Sequence, residues 1–207
     1  MRAPLTAKPV SSKACTLIIA TGLFALILSA VDASETTTFN LQLVLMQSAV
    51  TPPARVDFHE ERHNALLQAP LVLTGYLEYL GAGVLRKVVE TPFEEAFLVD
   101  AEKILIERDG ETRTLSLGKS RSLRTILDVI KAILGGDAHT IESIFDYELA
   151  GTAESWSVRL TPRSKRISRQ LTRVLVSGDL ESVKGMRIDL QDGEWHQMDI
   201  LQGDSGQ

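Results

Sequence analysis

Three residues in the stretch FHEERHNALL have the types and the spacing of a zinc-protease motif. His59, Glu60 and His63 spell H-E-x-x-H. On a helix, two histidines one turn apart bind zinc, the glutamate acts as general base, and a third ligand comes from elsewhere. Whether the chain is a zinc hydrolase therefore depends on the element that carries these residues.

That element is predicted to be a strand. Val56, Phe58, Glu60 and Arg62 alternate with other residues at the period of two that is typical of strands. On a strand the two histidines of the motif would lie about 13 Å apart, too far to share one metal ion. The two inner residues of the motif are charged, and no G-x-x-H extension follows it. We therefore expect no catalytic residue, no metal site and no cofactor, with the zinc hydrolase as the weaker alternative.

Other chemistry is sparse. His139 and His196 are isolated, and the sequence has no G-x-S-x-G motif and no glycine loop for phosphate. One basic run stands out in an acidic chain, and it contains Arg163, Lys165, Arg166, Arg169 and Arg173. The run is either a solvated connector or a contact surface for anionic lipid headgroups or an acidic partner. The second option would suit a structural envelope protein that binds no lipid.

The first 33 residues have the features of a secretory signal peptide. Three basic residues precede an apolar run from Ala14 to Val31, which ends in Val31-Asp32-Ala33. Small residues at the last and third-last positions suit a signal peptidase, so we expect cleavage after Ala33 and export to the periplasm. A retained membrane anchor is the weaker alternative. Cys15 lies at the start of the run, whereas a lipid-modified cysteine would lie at its end.

Removing residues 1–33 leaves residues 34–207, a length that suits a single domain. This part has no cysteine, so no disulfide can stabilise it. It contains 19 basic and 26 acidic residues, a net charge of −7. An acidic chain offers no electrostatic surface for nucleic acid, and we expect a monomer that does not bind it.

The elements that follow are one helix, a run of strands, a second helical region and more strands. A short helix is predicted over Thr37–Ser48, and an amphipathic helix with apolar residues from Leu123 to Leu134 ends at Gly135-Gly136. Connections of two to five residues between strands indicate an antiparallel meander. Besides the strand around Phe58, the predicted strands are Val72–Tyr79, Val84–Val89, Glu95–Val99, Ile104–Glu107, Thr112–Leu117, Tyr147–Leu149, Ser155–Thr161, Val174–Gly178, Val183–Leu190 and Trp195–Leu201.

About eleven antiparallel strands with a helical insert predict a mainly β fold of the α+β type. We expect a strongly curved sheet, or half-barrel, with the helices on its concave side. The apolar stripe of the longer helix needs an apolar surface to lie on, and the inner face of such a sheet would provide it.

Several segments carry a resemblance to a known family. These are VDFHEER, LTGYLEYLGAGVLRK, VETPFEEAFLVDAEKILIE and WSVRLTP. In this order and spacing the chain resembles the LolA-type outer-membrane lipoprotein carriers, most closely a LolA-related branch found beside genes for acyl-lipid or aryl-polyene synthesis. The likeness covers most of residues 37–201.

The resemblance implies a half-open antiparallel barrel with a helical lid over an apolar cavity. It also implies acylated lipoprotein or lipid cargo, an inner-membrane ABC transporter as donor and an outer-membrane acceptor. The family's Arg-Pro pair, whose arginine ties down the lid, is replaced here by Gly81-Ala82. The cargo is therefore either a lipoprotein or a free glycolipid or polyene-type lipid.

Under this resemblance we predict the residues that line an acyl-chain cavity, with ordinary core packing as the alternative for each. They are Phe58, Leu73, Leu77, Tyr79, Leu85 and Phe97 from strands, and Leu123, Ile126, Leu127, Ile130 and Leu134 from the lid helix. Arg62, with Glu60 as its neighbour, is the candidate substitute for the missing lid contact. The alternative for that pair is a structural salt bridge.

Overall fold

The computed structural model describes residues 39–201, which form three α-helices, one 3-10 turn and eleven strands. The helices are α1 (Leu41–Gln47), α2 (Arg121–Gly135) and α3 (Ala138–Ile144), and the 3-10 turn is Leu117–Lys119. The strands are β1 (Ala54–His63), β2 (Leu71–Gly81), β3 (Val84–Thr91), β4 (Glu95–Val99), β5 (Lys103–Arg108), β6 (Glu111–Ser116), β7 (Phe145–Thr152), β8 (Ser155–Pro162), β9 (Leu171–Gly178), β10 (Val183–Leu190) and β11 (Trp195–Leu201). The expected signal peptide lies outside the described residues.

All eleven strands belong to one antiparallel sheet, with the order β6-β5-β4-β3-β2-β1-β11-β10-β9-β8-β7. The predicted mainly β fold is confirmed. The sheet consists of two meanders, which we call the first wing (β1–β6) and the second wing (β7–β11). They are joined in the middle by the pairing of β1 with β11, in which Phe58 lies opposite Ile200 and Glu60 opposite Met198.

The helix α2 begins at a serine cap and ends at a glycine cap. Ser120 accepts a hydrogen bond from the Leu123 N–H and so caps the first turn. Gly136 ends the helix in the left-handed conformation, with φ 70° and ψ 23°, and its N–H reaches back to the carbonyls of the last turn. The predicted stop at Gly135-Gly136 is thus confirmed. Among the residues described, no helix is long and apolar enough to cross a membrane.

Several predicted boundaries differ from the structure; β7 and β9, for example, begin earlier than predicted, at Phe145 and Leu171. Leu117, predicted to end a strand, lies in the 3-10 turn, where its side chain is buried against the first wing. The first helix begins at Leu41 instead of Thr37, because the Asn40 side chain accepts a hydrogen bond from the Leu43 N–H and caps the helix there. Residues 37 and 38 lie outside the described part of the chain.

The core consists of three clusters that share one face of the sheet, the face on which the helices lie. We call it the inner face. The main core joins the helices to the second wing and includes Val129, Ile141 and Trp156. The lid cluster joins α2 to the first wing, and its buried members are Val99, Ile104, Leu117 and Leu127. The central apolar cluster contains Phe58, Leu73 and Val89, and Leu71, Leu77, Phe93, Phe97 and Met198 pack against it.

Candidate functional site

The candidate site is the inner face of the first wing, where strand pairing brings distant residues together. Phe58 on β1 lies opposite Gly75 on β2, and Leu77 on β2 lies between Val56 on β1 and Lys87 on β3. Because side chains alternate between the two faces of a strand, the even-numbered residues of β1 share this face with the odd-numbered residues of β2, β3 and β4. The inner face thus collects both apolar and charged side chains.

The structure divides the predicted cavity residues among the three clusters. Phe58 and Leu73 are fully buried in the central apolar cluster, where Leu77 packs against them. Ile126 packs against the main core. Tyr79 and Leu134 are half-buried and are not members of any of the three clusters.

The remaining predicted residues form the contact between α2 and the first wing. They are Leu85, Phe97, Leu123, Leu127 and Ile130, and all belong to the lid cluster or pack against it. Phe97 packs against the central apolar cluster as well, so the two clusters are continuous. These five residues therefore form one apolar surface with Phe58, Leu73 and Leu77, and their role in binding an acyl chain stays a prediction.

A buried ionic group interrupts this apolar surface. Glu60 is only 3% exposed, and its Oε1 accepts a hydrogen bond of 2.9 Å from Arg62 Nε. Lys87 Nζ donates to its other oxygen, and His196 Nδ1 lies 3.5 Å from Oε1. We call these four residues the ionic cluster. Arg62 and Glu60 form a salt bridge within the sheet, which is the alternative given for this pair, and contact of Arg62 with a lid stays a prediction.

The electrostatics of the cluster follow from its burial. Burial alone would raise the pKa of the Glu60 carboxyl, but the hydrogen bond with His196 and the charges of Lys87 and Arg62 outweigh it and hold that pKa well below its ordinary value. Burial lowers the pKa of Lys87 to about 8, against the opposing attraction of Glu60. Glu60 is therefore ionised at neutral pH.

A polar pocket of about 460 Å³ lies on the same face, toward the edge of the first wing. Its lining residues are Glu95, Ile106, Arg108, Asp109, Glu111 and Arg113. Arg108 Nη1 lies 3.9 Å from Glu95 Oε1, and its guanidinium lies 4.3 Å from the centre of the Phe93 ring. None of the predicted cavity residues lines this pocket.

The H-E-x-x-H residues lie on β1, as predicted, so they do not have the helical geometry of a zinc protease. The alternation along β1 places Glu60 on the inner face and the two histidines on the opposite face. His63 stacks there on Trp195, with ring centres 5.7 Å apart. Within residues 39–201, no group of three or more His, Cys, Asp or Glu could hold a metal ion.

The basic run spans the connection from β8 to β9 and ends within β9, and salt bridges attach both of its ends to the sheet. Arg163 Nε lies 2.8 Å from Asp146 Oδ1, and Arg173 Nε lies 2.5 Å from Asp189 Oδ2. The intervening basic residues of the run are exposed. A role as a contact surface stays a prediction.

Two members of the ionic cluster were missed by sequence reasoning. Lys87 belongs to the pair Arg86-Lys87, and only the register of β3 decides which of the two faces inward. His196 is isolated in the sequence, yet β11 pairs it with Arg62 across the centre of the sheet. The available signal was the alternation on β3, where Leu85 and Val89 flank Lys87 at a spacing of two.

A family model described as "Outer membrane lipoprotein carrier protein LolA-like" matches residues 33–205. No curated protein gives a significant match.

Solved structures give weaker likenesses. A LolA superfamily protein from Nitrosomonas europaea is 10% identical with a TM-score of 0.42, over 80% of this chain and 93% of that one. Lipoprotein LppX from Mycobacterium tuberculosis is 10% identical with a TM-score of 0.43, over 81% and 96%. LprF from Mycobacterium bovis is 14% identical with a TM-score of 0.38, over 81% and 94%.

Proposed function

We propose that this chain, which belongs to the LolA-like outer membrane lipoprotein carrier family, is a periplasmic carrier that binds acyl chains noncovalently on its inner face. In this function it shuttles an acylated lipoprotein, or a related lipid, from an inner-membrane ABC transporter to an outer-membrane acceptor. The expected resemblance to LolA-type carriers is confirmed by the family model, whose members are carriers and not enzymes. The cargo and both membrane partners belong to the proposal.

The observation that carries the proposal is the unequal attachment of α2 to the two wings. Its Val129, Ala132 and Ile133 are buried in the main core with the second wing. Toward the first wing only Leu127 of α2 is buried, while Leu123 and Ile130 are half-buried. The first-wing side of the helix is thus the weaker contact, and an acyl chain entering there would replace it with new apolar contacts.

The energetics explain why such a surface suits a carrier. Hiding one methylene group from water is worth about 0.8 kcal/mol, so a 16-carbon chain is worth roughly 12 kcal/mol and would hardly leave a membrane unaided. A carrier has to offset much of this cost and still release its cargo. Displacing the partly buried contact of α2 with the first wing during binding lowers the net affinity, which favours release.

The first experiment is native mass spectrometry of the processed protein, purified gently from periplasm, with extraction and identification of bound lipid. A copurified acylated peptide supports lipoprotein cargo, and a copurified glycolipid or polyene supports the lipid alternative. Protein that is empty and also fails to bind added fatty-acyl probes would contradict the proposal.

A pair of α2 variants separates binding from stability. Ile130→Glu places a charge in the lid cluster and should weaken binding of a fluorescent acyl probe at least tenfold, with a smaller effect on Tm. Arg124→Glu, on the exposed face of the same helix, is the matched control and should bind normally. If Ile130→Glu lowers Tm strongly but leaves the affinity of the folded protein unchanged, the lid cluster is core and not a binding surface.

A further inference from the structure

We infer that Lys87 and Arg62 bind the anionic group of an acidic amphiphile, a carboxylate or a phosphate, while its apolar part lies on the half-buried side chains beside them, Leu77, Phe97 and Met198. The inference rests on the proposed function and assigns a chemical class to its cargo. Three observations support it: the excess of positive charge in the ionic cluster, the remaining N–H groups of Lys87 and Arg62, and the apolar side chains that surround the cluster.

The cluster has more positive than negative charge. Lys87 and Arg62 share one buried carboxylate, that of Glu60. Glu95, on the neighbouring strand β4, also attracts Lys87, but it lies 3.9 Å from its own cation, Arg108. Within the ionic cluster itself, the two cations Arg62 and Lys87 face the single carboxylate of Glu60. A partly buried excess of cation is stabilised by an added anion.

The cations also retain hydrogen-bond donors. Arg62 uses its Nε and one Nη2 N–H on Glu60, which leaves three of its five N–H groups. Lys87 donates to Glu60 and has two further N–H groups. The side chains of Arg62 and Lys87 are 26% and 18% exposed, so an anion from solvent can reach both. The oxygens of a phosphate or carboxylate suit such a pair of donors.

Apolar side chains surround the charged group on its own face. Lys87 lies between Leu77 on β2 and Phe97 on β4, and its ammonium is 4.6 Å from the centre of the Phe58 ring. Glu60 lies between Leu73 and Met198. A ligand whose anionic group binds Lys87 therefore has apolar protein surface directly beside that group. An amphiphile needs such a surface for its apolar part, whereas a free anion does not.

The test compares two probes with the same chain, dodecyl phosphate and dodecanol, and inorganic phosphate alone, on the processed protein at pH 7. The readout is the ratio of the affinities for the charged and the neutral probe. Wild-type protein should prefer dodecyl phosphate. Lys87→Met keeps the apolar stem and should lower the ratio about tenfold, because a hydrogen bond to a charged group is lost.

Glu60→Gln should change the ratio in the opposite direction, because it removes the carboxylate that competes for both cations. If this variant does not fold, Arg62→Gln replaces it and should lower the ratio as Lys87→Met does. Arg86→Met is the matched control, since Arg86 is the neighbour of Lys87 on β3 and pairs with Glu78 on the other face. It should leave the ratio unchanged.

The outcomes separate this inference from the proposed function. If both probes bind with equal affinity and no variant changes the ratio, the anion site is wrong while acyl binding stands. If neither probe binds to wild-type protein, the proposed function fails as well. If inorganic phosphate binds as tightly as dodecyl phosphate, the site recognises a free anion, and the assignment to an amphiphile is overturned.

Discussion

The buried carboxylate of Glu60 should be one of the larger single contributors to stability in the first wing. Replacing it by glutamine keeps the size of the side chain but leaves Lys87 and Arg62 without their counter-ion. Removing one partner of a buried ion pair costs about 3–5 kcal/mol. Because both cations are partly exposed, water compensates some of this loss. We therefore expect Glu60→Gln to lower the free energy of unfolding by about 2–3 kcal/mol.

A double-mutant cycle isolates the contribution of the pair. Lys87→Met alone should cost about 2 kcal/mol, since Glu60 keeps Arg62 and His196 as partners. The double variant should lose about 1–2 kcal/mol less than the two single variants added together. Urea denaturation at pH 7 measures all four proteins. Additivity within about 0.5 kcal/mol would refute a direct interaction between the two side chains.

The stabilisation that Glu60 contributes to the folded protein should depend on pH. The pKa of Glu60 is lower in the folded protein than its ordinary value of 4.5, so its stabilisation is fully present above pH 4.5. It is lost as the pH falls below 4.5, because the unfolded chain then binds the proton first. The gap in unfolding free energy between wild type and Glu60→Gln should therefore narrow between pH 5 and pH 3. A gap that stays constant over this range would refute the assignment of a lowered pKa to this carboxyl.

Three further substitutions test the backbone and the core, each by urea or thermal denaturation. Gly75→Ala should cost about 2–3 kcal/mol, because its Cβ would overlap the backbone carbonyl oxygen of Val88 on β3; an unchanged midpoint would disprove this close approach of the two strands. Gly136→Ala should cost about 1–2 kcal/mol at φ 70°, whereas Gly135→Ala, with nothing within 4 Å, serves as its control. Trp156→Phe should cost about 1–2 kcal/mol through loss of the 2.7 Å hydrogen bond to the Asp179 carbonyl; equal stability would show that water replaces it.

The elements of the fold were predictable because each has a local signal. The alternation through Phe58, Glu60 and Arg62 predicts the strand β1, and the glycines after Leu134 predict the end of α2. The pairing of β1 with β11 has no such signal, since the two strands are separated by more than a hundred residues. The position of β1 in the middle of the sheet therefore became visible only in the structure.

The candidate site was predictable in its apolar part and not in its charged part. Apolar residues at strand and helix spacing identify an inward face without knowledge of the partner strands. A charged residue at an inward position is an exception to that pattern, and it is stable only beside a specific partner. Lys87 and Glu60 are 27 residues apart, and their contact requires the register of three strands. The sequence shows both residues but not the pairing that makes them one group.

The seam between β1 and β11 has a consequence for the order of assembly. Each wing is a meander of neighbouring strands and can form from local contacts. Pairing β1 with β11 closes the longest loop in the sheet and therefore has the largest cost in chain entropy. His196 reaches Glu60 only across this seam. The ionic cluster therefore becomes complete only when the two wings join, and a chain that has folded the first wing alone lacks the His196 hydrogen bond that helps to lower the pKa of Glu60.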